Sequence, residues 1–251
     1  MAIAVLSLTT NTGSSGNTTS TLSVSKPTGL ADGAVLFAAF SGDTNITSPD
    51  NIDRRVKNTD GTWTRLITGN DAGPNVLLSI FYRVVTTAAS EPSTYAFSFV
   101  AADDTTSSAT PNGYAYIIRG LSGVDNATPI DVTGPALAKL PTAAGSTSGS
   151  STPQAPATTF ATANAWALAF SSMDNTANTW SAPSGYSNLL SVNSGRTIAC
   201  ASLALGNTPG SVAAASFNGG SSAPWVAWQV SVRPAGAAAA QQQLMLLGVG
   251  A

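Results

Sequence analysis

The sequence predicts an all-β fold, an antiparallel jelly-roll sandwich built from two diverged halves with a short C-terminal tail. Three observations predict it. Short apolar runs bounded by Gly, Pro, Asn and Asp recur as far as Pro234, and no long stretch before the tail has helical periodicity. The order of those runs repeats once, at about half the chain length, far beyond the roughly 20–50 residues of a solenoid or propeller unit. Finally, 43% of residues are apolar and arranged in these runs, which suits a packed core rather than a disordered chain.

The repeat is anchored on Ala34-Val-Leu-Phe-Ala-Ala-Phe-Ser41 and Ala165-Trp-Ala-Leu-Ala-Phe-Ser171, which both end in Ala-Phe-Ser. Beyond them Leu77–Val84 answers to Thr197–Ala204, Tyr95–Phe99 to Val212–Phe217, and Tyr114–Arg119 to Trp225–Val232. This alignment sets Phe40 opposite Phe170 as equivalent core positions. Four strands from each copy make the eight of a jelly roll sharing one core. The domain reading is a single unit over residues 1–234, with pseudo-repeats at about 28–131 and 158–234 joined by 132–157, and a tail at 235–251.

In chain order, residues 3–8 read as an opening strand. Thr21-Leu-Ser-Val-Ser25 alternates, with Leu22 and Val24 facing inward. Lys26-Pro-Thr-Gly29 and Asp32-Gly33 are turn chemistry leading into the strand at 34–41. Residues 42–62 form a long polar excursion carrying Arg54, Arg55 and Lys57, read as a loop and a candidate partner contact. Strands follow at 63–67, 76–85, 94–100 and 113–119. Asp103-Asp104 reads as solvated loop charge, because adjacent carboxylates on a loop are not held at the separation acid–base catalysis needs. In the turn-rich stretch after Arg119, Asp125 and Asp131 read as turn caps accepting backbone N–H bonds. The low-complexity stretch 132–157 reads as a linker or a strap over a sandwich edge. The second half continues with strands at 158–160, 165–171, 186–192, 196–205, 211–217 and 225–232, and Pro234 ends the last one. In the tail, Leu244, Met245, Leu246, Leu247 and Val249 form an apolar cluster after a finished sandwich, and are the first candidate partner interface.

Composition narrows the chemistry. Charged residues are 9%, against about 25% in an ordinary soluble domain, so Ser, Thr, Asn and Gly must furnish the surface. A formal charge of −2 with scattered Lys and Arg offers no basic footprint for nucleic acid. The chain has no His, which removes Ser-His-Asp triads and imidazole metal sites. Its one cysteine, Cys200, lies in an apolar alternating run and reads as a small core residue, and the absence of an intramolecular disulfide agrees with assembly in a reducing cytoplasm. The N-terminus lacks the charged region of a secretory signal, and no run reaches the roughly 20 apolar residues of a membrane span. The expectation is a protein that is not an enzyme and holds no metal or cofactor.

A resemblance rests on short structural motifs: Ala31-Asp-Gly-Ala-Val-Leu-Phe-Ala-Ala, Trp63-Thr-Arg-Leu, Tyr82-Arg-Val, Glu91-Pro-Ser-Thr-Tyr, Arg119-Gly-Leu-Ser-Gly-Val-Asp, Pro129-Ile-Asp, and the closing Trp225-Val-Ala-Trp-Gln-Val-Ser-Val-Arg-Pro. Over about residues 28–234 the chain resembles jelly-roll virion proteins of tailed bacteriophages, the capsid decoration (cement) or fibre proteins. The resemblance implies a structural protein of the virion, made in the host cytoplasm and bound to the major capsid protein and to other copies of itself, by analogy as a trimer. A second reading is a tail or head fibre module binding host-surface glycans, for which Trp63, Trp180 or Tyr186 would stack on sugars. A third, a glycan hydrolase, is the weakest because its two carboxylates would have to come from 12 acidic residues that lie mostly in loops.

Overall fold

A computed structural model describes residues 2–9, 12–15, 21–42, 55–70, 76–100, 113–131, 144–175, 178–194 and 196–236. The described residues form antiparallel β-structure, with a single 3-10 turn at Ala88–Ser90 and no helix long and apolar enough to cross a membrane. The first half contributes β1 (Ala4–Val5), β2 (Thr12–Ser15), β3 (Thr21–Ser25), β4 (Val35–Gly42), β5 (Arg55–Asn58), β6 (Thr64–Asn70), β7 (Leu77–Val84), β8 (Thr94–Val100) and β9 (Tyr114–Ser122). The second contributes β10 (Ala144–Ser150), β11 (Gln154–Ala155), β12 (Thr158–Phe160), β13 (Trp166–Met173), β14 (Ser187–Ser194), β15 (Arg196–Ala204), β16 (Gly210–Val212), β17 (Ala215–Ser216) and β18 (Ala223–Val232).

Each half has a large and a small layer. The large sheets run β1-β9-β4-β7-β6, with β2 also on β9, and β10-β18-β13-β15-β14. Thus β4 lies between β7 and β9 as β13 lies between β15 and β18, and the strand order of the repeat holds. The small layers are β3-β8-β5 in the first half and the pairs β11-β17 and β12-β16 in the second.

The two large sheets pack face to face, so the molecule is a stack of four layers rather than one pair of sheets. Val35, Phe37 and Ala39 of β4 meet Leu168 and Phe170 of β13 in a core shared by both halves. The alternate residues Leu36, Ala38 and Phe40 face the small sheet of the first half, where they pack on Tyr95, Phe97 and Phe99. In the second half the outer core is built largely of alanines, among them Ala169, Ala199, Ala201 and Ala227, with Trp180 and Phe217. Every residue of β4 is buried because it has a core on both sides, which is why its sequence is continuously apolar instead of alternating.

This layering corrects one expectation. Phe40 belongs to the outer core of the first half and Phe170 to the shared core, so they are not equivalent positions. A one-residue offset in a strand reverses the face, and aligning Ala-Phe-Ser on Ala-Phe-Ser introduces that offset. The equivalent serines are Ser41 and Ser172, whose Oγ atoms lie 2.5 Å apart in a buried hydrogen bond across the shared core.

Other strands fall close to their expected places. The opening strand shrinks to β1, and a strand, β5, occupies part of the polar excursion expected to be loop. Within 132–157, expected to be a linker or a strap, β10 pairs along β18 as the outermost strand of the second large sheet; residues 132–143 lie outside the described residues. The segment leaving β9 likewise joins the second half, pairing Ile130 with Val232 and Val124 with Pro234. It turns at Gly123, whose φ of +69° suits glycine and where a Cβ would collide with the Ala2 carbonyl.

Candidate functional site

The small layer of the second half is a two-stranded ribbon with a break in it. Ala155 pairs with Ala215 and Thr158 with Val212, but the intervening residues Pro156, Ala157, Ala213 and Ala214 leave the ladder. The break is closed from below by Gln229, a fully buried residue of β18. Its Nε2 donates to the carbonyls of Pro156 (2.6 Å) and Ala213 (2.9 Å), and its Oε1 accepts the Tyr186 hydroxyl at 2.6 Å. One amide thereby satisfies two carbonyls of the break and orients an aromatic ring.

Beside the break lies a cleft of about 250 Å³, lined by Pro183, Tyr186, Leu203, Val212, Ala215 and Ser216 among others. The described lining carries no charged side chain, so the cleft suits an uncharged group with apolar surface. Burial pushes the Tyr186 phenol up to about 12 from its ordinary 10.0. The folded state therefore holds that proton where the unfolded chain has begun to lose it. Stability from this group is fully present below pH 10 and should be lost as pH rises through about 12. Burial also raises Tyr95 and Tyr116, so spectrophotometric titration at alkaline pH should show several late-ionising tyrosines, of which the phase near pH 12 loses amplitude in Tyr186→Phe.

Of the aromatic candidates for a sugar platform, Trp63 and Trp180 are each 6% exposed and belong to the outer cores, leaving Tyr186 at the cleft. Cys200 is buried in the shared core, where burial raises its thiol pKa, partly offset by Arg119 nearby. Arg55 and Lys57 lie on β5, opposite Val100 and Ser98, on an edge strand of the first small sheet. Arg54, the pair Asp103 and Asp104, and the tail residues Leu244, Met245, Leu246, Leu247 and Val249 lie outside the described residues.

Six acidic residues are described, and each is tied to the fold. Asp125 accepts from the amides of Ala127 and Thr128 and Asp60 from that of Thr62, each capping its own turn, while Asp32 accepts from the distant Ala88 amide at the start of the 3-10 turn. Glu91 pairs with Arg83 at 2.7 Å and accepts the Tyr95 hydroxyl at 2.9 Å, while Asp174 pairs with Arg196. Asp131, fully buried, accepts from the Ala161 and Thr162 amides, the Thr162 hydroxyl and Arg233 Nε. Asp125 and Asp131 thus cap turns, as expected, and Asp131 also joins the halves. Among the described residues no three of His, Cys, Asp and Glu gather as a metal site would require.

Sequence reasoning missed Gln229 and the cleft. Gln229 had a signal, a long amide in the middle of the apolar run Trp225–Val232, where a buried polar group must find partners. The cleft had none, since its walls come from three separate stretches of chain. No known family model, curated protein or solved structure matches the chain.

Proposed function

We propose that this chain is a structural virion protein, a decoration protein that stabilises a phage head through protein–protein contacts. The observation that carries the reading is the use made of its polar groups: the described carboxylates and buried polar side chains hold the fold together. Asp131 with Arg233 joins the halves, Arg119 donates across the shared core to the Asn188 carbonyl, and Ser41 meets Ser172. The strand connections of the first half also suit a jelly roll, since consecutive strands β3, β4 and β5 alternate between the layers. In this reading the major capsid protein and further copies of the chain are the partners. The tail cluster at Leu244–Leu247 and Val249 is the first contact, and Arg54, Arg55 and Lys57 the second.

The test uses particles that carry the protein. Antibody labelling should place it on the head, and labelling confined to the tail would overturn the proposal. Deleting residues 236–251 should leave thermal unfolding nearly unchanged yet strip the protein from washed particles. Each large apolar side chain removed from water contributes roughly 1.5–3 kcal/mol to such a contact. Full retention after deletion moves the contact to the Arg54, Arg55 and Lys57 stretch.

Tyr186 at an uncharged cleft favours a second reading, a fibre module binding host-surface glycans. Saturable binding to purified host polysaccharide, lost in Tyr186→Ala, would support it over the first.

A further inference from the structure

We infer that the cleft is the open edge of an incomplete sheet, and that an extended segment of a partner protein completes it by adding one antiparallel strand. The first half displays the completed form. There β8 is paired on both sides, with β3 along one edge and β5 along the other. In the second half the corresponding ribbon strand, β16 with β17, pairs with β12 and β11, and no described strand pairs with its other edge. The chain makes a start there: Ser181 N–H donates to the Asn218 carbonyl at 2.8 Å, and the Ser181 carbonyl accepts the Asn218 N–H at 3.2 Å. Two residues later Pro183 takes the chain away into a tight turn, closed by the Tyr186 N–H on the Pro183 carbonyl at 3.0 Å.

Backbone alternation identifies the unpaired groups. Phe217 N–H points toward the β11 side, where it bonds the Pro153 carbonyl at 2.9 Å, and Asn218 points to the opposite side. Successive residues of a strand alternate, so Ser216 directs its N–H and C=O to the same edge as Asn218. Ser216 is exposed and lines the cleft. A donor and an acceptor at strand spacing, beside a cavity for a side chain, are what strand addition requires.

The first half also indicates the occupant's chemistry. In β5, Val56 is fully buried in the outer core between Arg55 and Lys57, which flank it on the strand. The cleft, uncharged in its described lining and about 250 Å³ in volume, suits the same pattern: one branched apolar side chain inward, polar residues on either side. This inference does not rest on the virion reading, since it concerns the sheet edge alone.

The test is a titration of the full-length, isotopically labelled chain with a capped synthetic peptide of the β5 sequence, Arg-Val-Lys-Asn-Thr-Asp (residues 55–60). Saturable amide shifts should centre on Ser216, Ala214 and Leu203. Ser216→Pro, which deletes the outward N–H and leaves the β11 ladder in place, should weaken binding roughly tenfold, while Ser216→Ala should bind like the parent. A peptide with alternate amides N-methylated tests the same bonds without altering the protein and should not bind. No saturable shift, undiminished binding of the methylated peptide, or shifts centred on β8 instead would each overturn the inference.

Discussion

Replacing Asp131 by alanine should cost about 3–5 kcal/mol, the range for breaking a buried, hydrogen-bonded charge pair by removing one partner. The carboxylate is fully buried and accepts from the Ala161 amide at 3.0 Å, the Thr162 amide at 2.9 Å, the Thr162 hydroxyl at 2.8 Å and Arg233 Nε at 3.3 Å. Alanine would leave these donors facing a small void. It would also loosen the stretch from Gly123 to Asp131, which pairs with the end of β18 and carries the join between halves. Arg233→Met should cost less, because the carboxylate keeps its other donors and Arg233 is 25% exposed on its side chain. Denaturant unfolding of both variants checks the order. A loss below about 1 kcal/mol for Asp131→Ala would mean water replaces the carboxylate and the join does not depend on it.

Replacing Gln229 by leucine should be the next most damaging change, at about 2–3 kcal/mol. The two side chains have similar bulk, so the loss is in hydrogen bonds and not in packing. The carbonyls of Pro156 and Ala213 would be left without their donor beneath the ribbon, at about 1–1.5 kcal/mol for each part-buried hydrogen bond. The Tyr186 hydroxyl would lose its acceptor as well, but the residue is only partly buried and can turn to water. Tyr186→Phe should therefore cost much less, about 1 kcal/mol. Hydrogen exchange distinguishes local from global effects: amides of residues 154–160 and 210–216 should lose protection first in Gln229→Leu. Uniform loss across both halves would show that the ribbon is not a separate unit of opening.

Much of the architecture was legible because β-structure writes a short-range record. Thr21–Ser25 shows two buried residues at alternate positions, and its bounds as a strand match the expectation. The strand at Thr94–Val100 does likewise, since Tyr95, Phe97 and Phe99 are inward. The excursion through Arg55–Asn58 was read as loop because Val56 is the single apolar residue in four, too few to show a period. The fragmenting of residues 211–217 into two short strands belongs to a break shared with Pro156 and Ala157, on a partner segment more than 50 residues away.

By itself, the sequence determined the strand class, the positions of the main strands and the repeated order of the two halves. These depend on periodicity and turn residues within a few positions of one another. The tertiary structure alone decided which way a doubly buried strand faces, and hence that Phe40 and Phe170 serve different cores. A strand covered on both sides has lost the alternation that would record its orientation. It also decided that Gln229 closes a break in another layer, that Asp131 joins the halves, and that an edge beside Ser216 stays open. Each of those depends on groups brought together from distant parts of the chain, where hydrogen-bond geometry, and not local spacing, selects the partner.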